Sequence, residues 1–97
     1  MPTYIILTRW THQGLQKIKE SPSRLDAGRK AFEAAGVKLK EFYMTLGQYD
    51  SIVVVEAPDD AALARANLAL ASKGNLETQT LRAFTEAEYR KIISGIE

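Results

Sequence analysis

Apolar and polar positions along this chain switch between two periods, one suited to strands and one to helices. Residues 3–10, Thr-Tyr-Ile-Ile-Leu-Thr-Arg-Trp, are rich in β-branched and aromatic types, and the run is short. That predicts a strand apolar on both faces. Thr11 can cap a first helical segment reaching about Glu20, its hydroxyl taking free backbone N–H groups. Ser21-Pro22 restarts the helix, with Ser at the cap and Pro in the first helical position. Leu25, Gly28, Phe32 and Ala35 recur at helical spacing, and Gly36 lies just past the end, where a left-handed backbone is often needed.

Residues 37–46 return to strand character through Leu39, Phe42, Tyr43, Met44 and Leu46, and a turn follows at Gly47-Gln48-Tyr49-Asp50. Residues 51–56, Ser-Ile-Val-Val-Val-Glu, read as the clearest strand. Pro58 ends it, and Asp59 caps an alanine-rich helix with Leu63, Ala66, Asn67 and Leu70 on one face. Lys73-Gly74 closes that helix, and residues 75–84 form a fourth strand. Thr85 and Glu88 make a capping box for a last helix whose apolar face carries Tyr89, Ile92, Ile93 and Ile96. The order βαββαβ plus a terminal helix predicts one α+β domain over 1–97. Its expected form is a ferredoxin-like four-stranded antiparallel sheet with helices on one side. Leu7-Thr8-Arg9-Trp10-Thr11 is weakly echoed by Leu81-Arg82-Ala83-Phe84-Thr85, each a strand end feeding a threonine cap.

Such a sheet leaves one face without helices, and alternation shows what it carries. Leu76, Thr78, Thr80, Arg82 and Phe84 share one side of the fourth strand, and Glu77, Gln79, Leu81 and Ala83 the other. Ile52 and Val54 oppose Val53 and Val55, and Tyr4, Ile6 and Trp10 oppose Ile5 and Leu7. A solvated sheet face should be more polar than either side here. The simplest cover is a second copy of the chain, sheet to sheet. On a monomer, the same threonines and valines would sit half exposed.

Bulk composition narrows the chemistry. The chain is 45% hydrophobic and 26% charged, with 13 basic and 12 acidic residues. A formal charge of +1 gives no basic stripe for nucleic acid. Cysteine is absent and His12 is the single histidine, so a protein-only metal site is not expected. The start of the chain lacks a basic leader and no apolar run approaches membrane-spanning length, so a cytoplasmic protein without membrane contact is expected. No phosphate loop or nucleophile elbow occurs, haem would find only His12 as an axial ligand, and no cofactor is expected.

The candidate residues each have two readings. In the 47–50 turn, Gly47 can supply an unusual backbone angle, Asp50 can bond turn amides, and Tyr49 can pack under the hairpin. Alternatively, Tyr49 and Asp50 stand at a pocket mouth, binding a polar group or aiding proton transfer. His12 opens the first helix beside Trp10, where an imidazole suits a general base; it equally suits an inert exposed position. Trp10 and Tyr43 can line an aromatic pocket or fill core space. Arg82, mid-strand, and Arg9, its approximate counterpart in the echo, can take a ligand carboxylate or form an ion pair, for instance with Asp50 or Glu56 across a dimer. Asn67 needs partners if buried.

Several blocks of the chain are similar to a known family: Pro2-Thr3-Tyr4, Trp10-Thr11-His12-Gln13-Gly14, Ile18 to Arg24, Phe42 to Asp50, Glu56 to Asp60, Gly74-Asn75 and Thr80 to Thr85. Through them the sequence resembles the GYD-domain proteins of bacteria and archaea, part of the dimeric α/β-barrel superfamily. The resemblance implies a homodimer or higher homo-oligomer built through the sheet face. That superfamily includes cofactor-free monooxygenases, lactone isomerases, haem enzymes and the amino-acid-sensing domains of leucine-responsive regulators, and fold alone does not choose among them. The leading expectation is a small-molecule-binding oligomer with a semi-polar pocket in each protomer, drawing on Trp10, His12, Tyr43, Tyr49, Asp50 and Arg82. The alternatives are a cofactor-independent oxygenase or isomerase using Tyr49, Asp50 and His12, and a protein whose role is assembly.

Overall fold

The computed structural model describes all of residues 1–97 and orders them as β1 (Thr3–Trp10), α1 (His12–Gln16), α2 (Ser21–Ala34), β2 (Lys38–Met44), β3 (Ser51–Glu56), α3 (Asp60–Ala71), β4 (Leu76–Ala83) and α4 (Glu86–Ser94). The strands form one antiparallel sheet in the order β2-β3-β1-β4, the ferredoxin-like arrangement expected from the sequence.

Strand alternation sets the layers. Tyr4, Ile6 and Thr8 of β1 and Ser51, Val53 and Val55 of β3 are buried toward the helices. Ile5, Leu7, Ile52 and Val54 point the other way and stay half-buried. The core gathers at one end, where Phe32 of α2 and Leu63 and Ala66 of α3 meet Tyr4, Ile6 and Val55. Small residues let α3 approach closely here, Ala62 and Ala66 being buried with Leu63. The far side of α2 offers less, and Phe32 is its only buried residue.

Caps explain most element boundaries. Thr11 accepts from the Gly14 N–H at 3.1 Å and Asp59 from the Ala62 N–H at 2.8 Å. Ser21 does not cap α2. It is itself helical, and its N–H bonds back to Ile18 of a 3₁₀ turn, Ile18–Glu20, that feeds the helix directly. The expected single segment from Thr11 to Glu20 is therefore broken at Lys17 into α1 and this turn. Gly36 ends α2 at φ +81°, a conformation that costs glycine little.

The terminal helix holds its capping box, with the Thr85 N–H donating to Glu88 at 2.9 Å and the Glu88 N–H donating to Thr85 Oγ1 at 3.2 Å. Hydrogen bonding to the carboxyl from Thr85, the backbone N–H first and the side chain second, holds Glu88 below its ordinary range. A depressed folded value means the box stabilises α4 above the ordinary carboxylate pKa and loses that contribution as pH falls through the lower one. Comparing far-UV circular dichroism with Glu88→Ala across acid pH should show a helicity difference near neutrality that closes on acidification. The apolar face of α4 finds no cover in the protomer: Tyr89, Ile92, Ile93 and Ile96 are all exposed. With α4 unburied the molecule is elongated, its radius of gyration being 14.6 Å against about 12.5 Å for a compact chain of this length.

Candidate functional site

The hairpin loop at 45–50 is tied to β1. The Asp50 N–H donates to the Thr8 carbonyl at 2.8 Å and the Asp50 carboxylate accepts from the Trp10 N–H at 2.9 Å. The β1–β3 pairing ends at Thr8 opposite Ser51, so these bonds satisfy the backbone of β1 beyond the last paired residue. Asp50 thus serves the neighbouring strand rather than the amides of its own turn. Gly47 sits at φ +124°, as the turn requires. Tyr49 does not pack under the hairpin. Its ring stacks on the Arg9 guanidinium at 4.8 Å, while Arg9 Nε donates to the Gln48 carbonyl at 2.7 Å and the Tyr49 hydroxyl donates to Gln79. Replacing Asp50 with alanine strands the Trp10 N–H and is expected to cost about 2 kcal/mol, read as a lower urea midpoint. Asp50→Asn keeps an acceptor oxygen and should cost less than half of that.

The other sequence candidates scatter. Trp10 faces the helices, but Tyr43 lies on the open face at 55% exposure, so the two line no common pocket. A bulge causes this: β2 pairing with β3 shifts between Leu39 and Glu41, so Leu39, Phe42 and Met44 share the inner face and Tyr43 turns outward. The three-residue step from Leu39 to Phe42 was the available signal. His12 is exposed in the first turn of α1, 3.2 Å from Gln16 Nε2. Arg82 lies over the rings of Phe84 at 4.5 Å and Tyr4 at 5.5 Å, and Nη1 reaches the Thr3 carbonyl at 3.3 Å. The Tyr4 hydroxyl donates to Asp60, which with burial raises its pKa. Arg9 and Arg82 are not equivalent, since Arg9 pairs with Glu77 on the open face and Arg82 with Tyr4 on the helix face. Within the protomer Glu56 pairs with Lys40 at 3.4 Å and Asp50 holds β1. Asn67 Nδ2 donates to Thr78 Oγ1 at 3.0 Å, and its buried Oδ1 has no partner.

What the fold does assemble is a cavity of about 430 Å³ between α2 and the sheet, bordered by the core residues Ile6, Phe32 and Val53. Its walls are mainly apolar, with Trp10, Phe32, Phe42, Val53 and Leu76 among them. Two buried hydroxyls, Thr8 Oγ1 and Ser51 Oγ, hydrogen-bond to each other in the sheet wall. Each hydroxyl has one hydrogen and two lone pairs, so the pair retains capacity for a bound polar group. Of the sequence candidates only Trp10 lines this space; Tyr49, Asp50, His12, Tyr43 and Arg82 do not. Thr8 and Ser51 were legible only as polar residues in phase with Ile6 and Val53. No helix is long and apolar enough to cross a membrane.

Known proteins share this architecture. A feast or famine regulatory protein from M. tuberculosis, complexed with L-methionine, superposes with a TM-score of 0.66 at 12% identity over 88% of this chain. The present chain spans only about half, 51%, of that protein's length. A Thermus thermophilus protein of known structure matches at TM-score 0.56 and 25% identity, covering 88% of this chain and 95% of its own. In sequence, a glutamine synthetase and cystathionine beta-lyase binding protein from Thermus thermophilus is 40% identical over 89 residues, 91% of this chain and 94% of the relative. The GYD domain profile matches residues 4–93, and with that relative it establishes that the chain belongs to the GYD-domain family.

Proposed function

We propose that this protein is a small-molecule-binding homo-oligomer, each protomer holding its ligand between α2 and the sheet while a second copy covers the open sheet face. The observation that carries the reading is the cavity, whose volume of about 430 Å³ lies within the range of about 300–1,000 Å³ usual for small-ligand sites. Its mostly apolar lining with few polar groups is also the usual composition of such a site. The oligomer rests on a second observation: Ile5, Leu7, Ile52, Val54 and Leu81 form a contiguous apolar band with no helix above it. Isologous pairing of that band would bury it and bring Arg9, Lys38, Glu41 and Glu77 to the rim.

Native mass spectrometry of the protein purified from its own host tests both parts together. The expected result is a dimer or larger oligomer retaining one small mass per protomer. A bare monomer would overturn the reading. Catalysis by Tyr49, Asp50 and His12 gains no support, since none of the three lines the cavity and Asp50 is occupied in holding β1.

A second reading, that the oligomer docks on another protein, is favoured by the uncovered apolar face of α4. The enzyme-binding role named for the 40% identical relative supports it as well. It is compatible with the first, because the α4 surface and the cavity are formed by different residues.

A further inference from the structure

Resting on the small-molecule reading above and deepening it, we propose that the cavity takes a monocarboxylate with an apolar body. Charge selects the class. The 21 residues that line the cavity include Arg24, Arg29 and Lys73 but no aspartate or glutamate. None of the three cations is neutralised within the protomer, whose two ion pairs are Lys40–Glu56 and Arg90–Glu86. On a chain with a net charge of only +1, three unpaired cations and no anion around one cavity is a marked local imbalance.

Two of the cations lie on chain segments that are joined at one end of the cavity. Arg24 Nη2 donates to the Gly14 carbonyl at 3.0 Å, and Gly14 packs directly against the backbone of Asn75. Gln13 Nε2 bonds both the Lys73 carbonyl, at 2.9 Å, and Asn75 Oδ1, at 3.0 Å. Arg24, Lys73 and Asn75 are thereby held at the same end, beside the Trp10–Leu76 pair that closes the β1–β4 ladder. Arg24 spends one of its five N–H donors on Gly14, and the Asn75 carboxamide keeps its N–H groups free because Oδ1 faces Gln13. These are the donors that a carboxylate takes in bidentate fashion. Behind them lie Phe32, Phe42, Val53 and Ile6, which offer contact and no charge. A zwitterionic amino acid is a poorer fit, because its ammonium would meet cations and find no carboxylate.

Three probes with one apolar chain separate charge from burial: decanoate, decanol and decyltrimethylammonium, each titrated calorimetrically below its micelle-forming concentration into the full-length protein stripped of bound small molecules. Decanoate should bind once per protomer, roughly tenfold or more tighter than decanol, with the cation weakest. Lys73→Gln and Arg24→Gln should each weaken decanoate by roughly tenfold and leave decanol unchanged. Lys73 makes no side-chain bond in the fold, so its variant stays informative even if Arg24→Gln loosens Gly14. Gly28 lines the cavity, and a Cβ there meets nothing nearer than Leu70 Cδ1 at 3.8 Å, so Gly28→Leu should fill cavity space, keep a native far-UV spectrum and lose decanoate.

Equal binding of all three probes, or preference for the cation or the alcohol, would overturn the charge inference and leave a small-molecule site standing, provided Gly28→Leu abolishes that binding. Decanoate binding that survives Gly28→Leu would place the site elsewhere and overturn the inference too. Binding of none of the probes would overturn this inference. A bare monomer by native mass spectrometry would remove the underlying reading as well.

Discussion

Gly14→Ala is expected to lower the melting temperature by roughly 8–24 °C. A Cβ at this position falls inside contact distance of the Asn75 carbonyl oxygen, with the carbonyl carbon at 3.1 Å and Cα at 3.4 Å. All three are backbone atoms, so no rotamer change relieves them. The Asn75 carbonyl is itself fixed by the Thr11 N–H at 3.1 Å, and the Gly74 carbonyl by the Thr11 hydroxyl at 2.6 Å. Overpacking of this kind costs up to about 3 kcal/mol, and each kcal/mol moves the midpoint of a domain this size by roughly 4–8 °C. Alanine's better helix propensity returns only about 1 kcal/mol of that, and α1 is too short to draw much from it. Gly28→Ala is the control. It lies in α2 with nothing nearer than Leu70 Cδ1 at 3.8 Å, and should gain roughly 1 kcal/mol. Thermal unfolding of the two variants by circular dichroism checks both signs, and a stable Gly14→Ala protein would refute the close approach of Gly14 to the Asn75 backbone.

The second large effect is on assembly. Val54→Lys should convert the proposed oligomer to folded monomers in analytical ultracentrifugation, with an unchanged far-UV spectrum. Val54 lies mid-face on β3, between Ile5 of β1 and Glu41 of β2, and is half-buried in the protomer. In a single chain the lysine can reach water or Glu41, its cross-strand neighbour, so folding is spared. In a sheet-to-sheet interface it must be desolvated near the centre of the contact, and an unpaired buried charge costs several kcal/mol. An oligomer that survives Val54→Lys would move the interface off the sheet and onto the exposed face of α4.

The sequence marked the turn at 47–50 and the fold around it correctly, but not the turn's task. Local signals carried the elements: alternation in residues 51–56, the caps Thr11, Asp59 and Thr85, and glycines at 36 and 47 where positive φ is needed. These are short-range effects, complete within one or two turns of chain, so composition and spacing reveal them. The Ser21 cap failed because the preceding 3₁₀ turn already supplies a carbonyl to its N–H, a dependence on three residues read as helix.

Which residues share a site was decided by pairing between strands distant in the chain. One bulge after Leu39 sends Tyr43 to the opposite face from Trp10. The echo that paired Arg9 with Arg82 misses the phase by one residue, which in a strand reverses the face. Asp50 accepts from Trp10, forty residues earlier, a bond that only the approach of β1 to the turn creates. Thr8 and Ser51, 43 residues apart, meet only through the β1–β3 register, which sets them side by side in a cavity wall. Residue pattern alone was enough for the order and kind of elements, the apolarity of both sheet faces and the family. It took the folded chain to place the cavity between α2 and the sheet, and to gather Arg24, Lys73 and Asn75 at one end of it. Periodicity encodes the direction of a side chain, whereas a site depends on which distant segments are brought into contact.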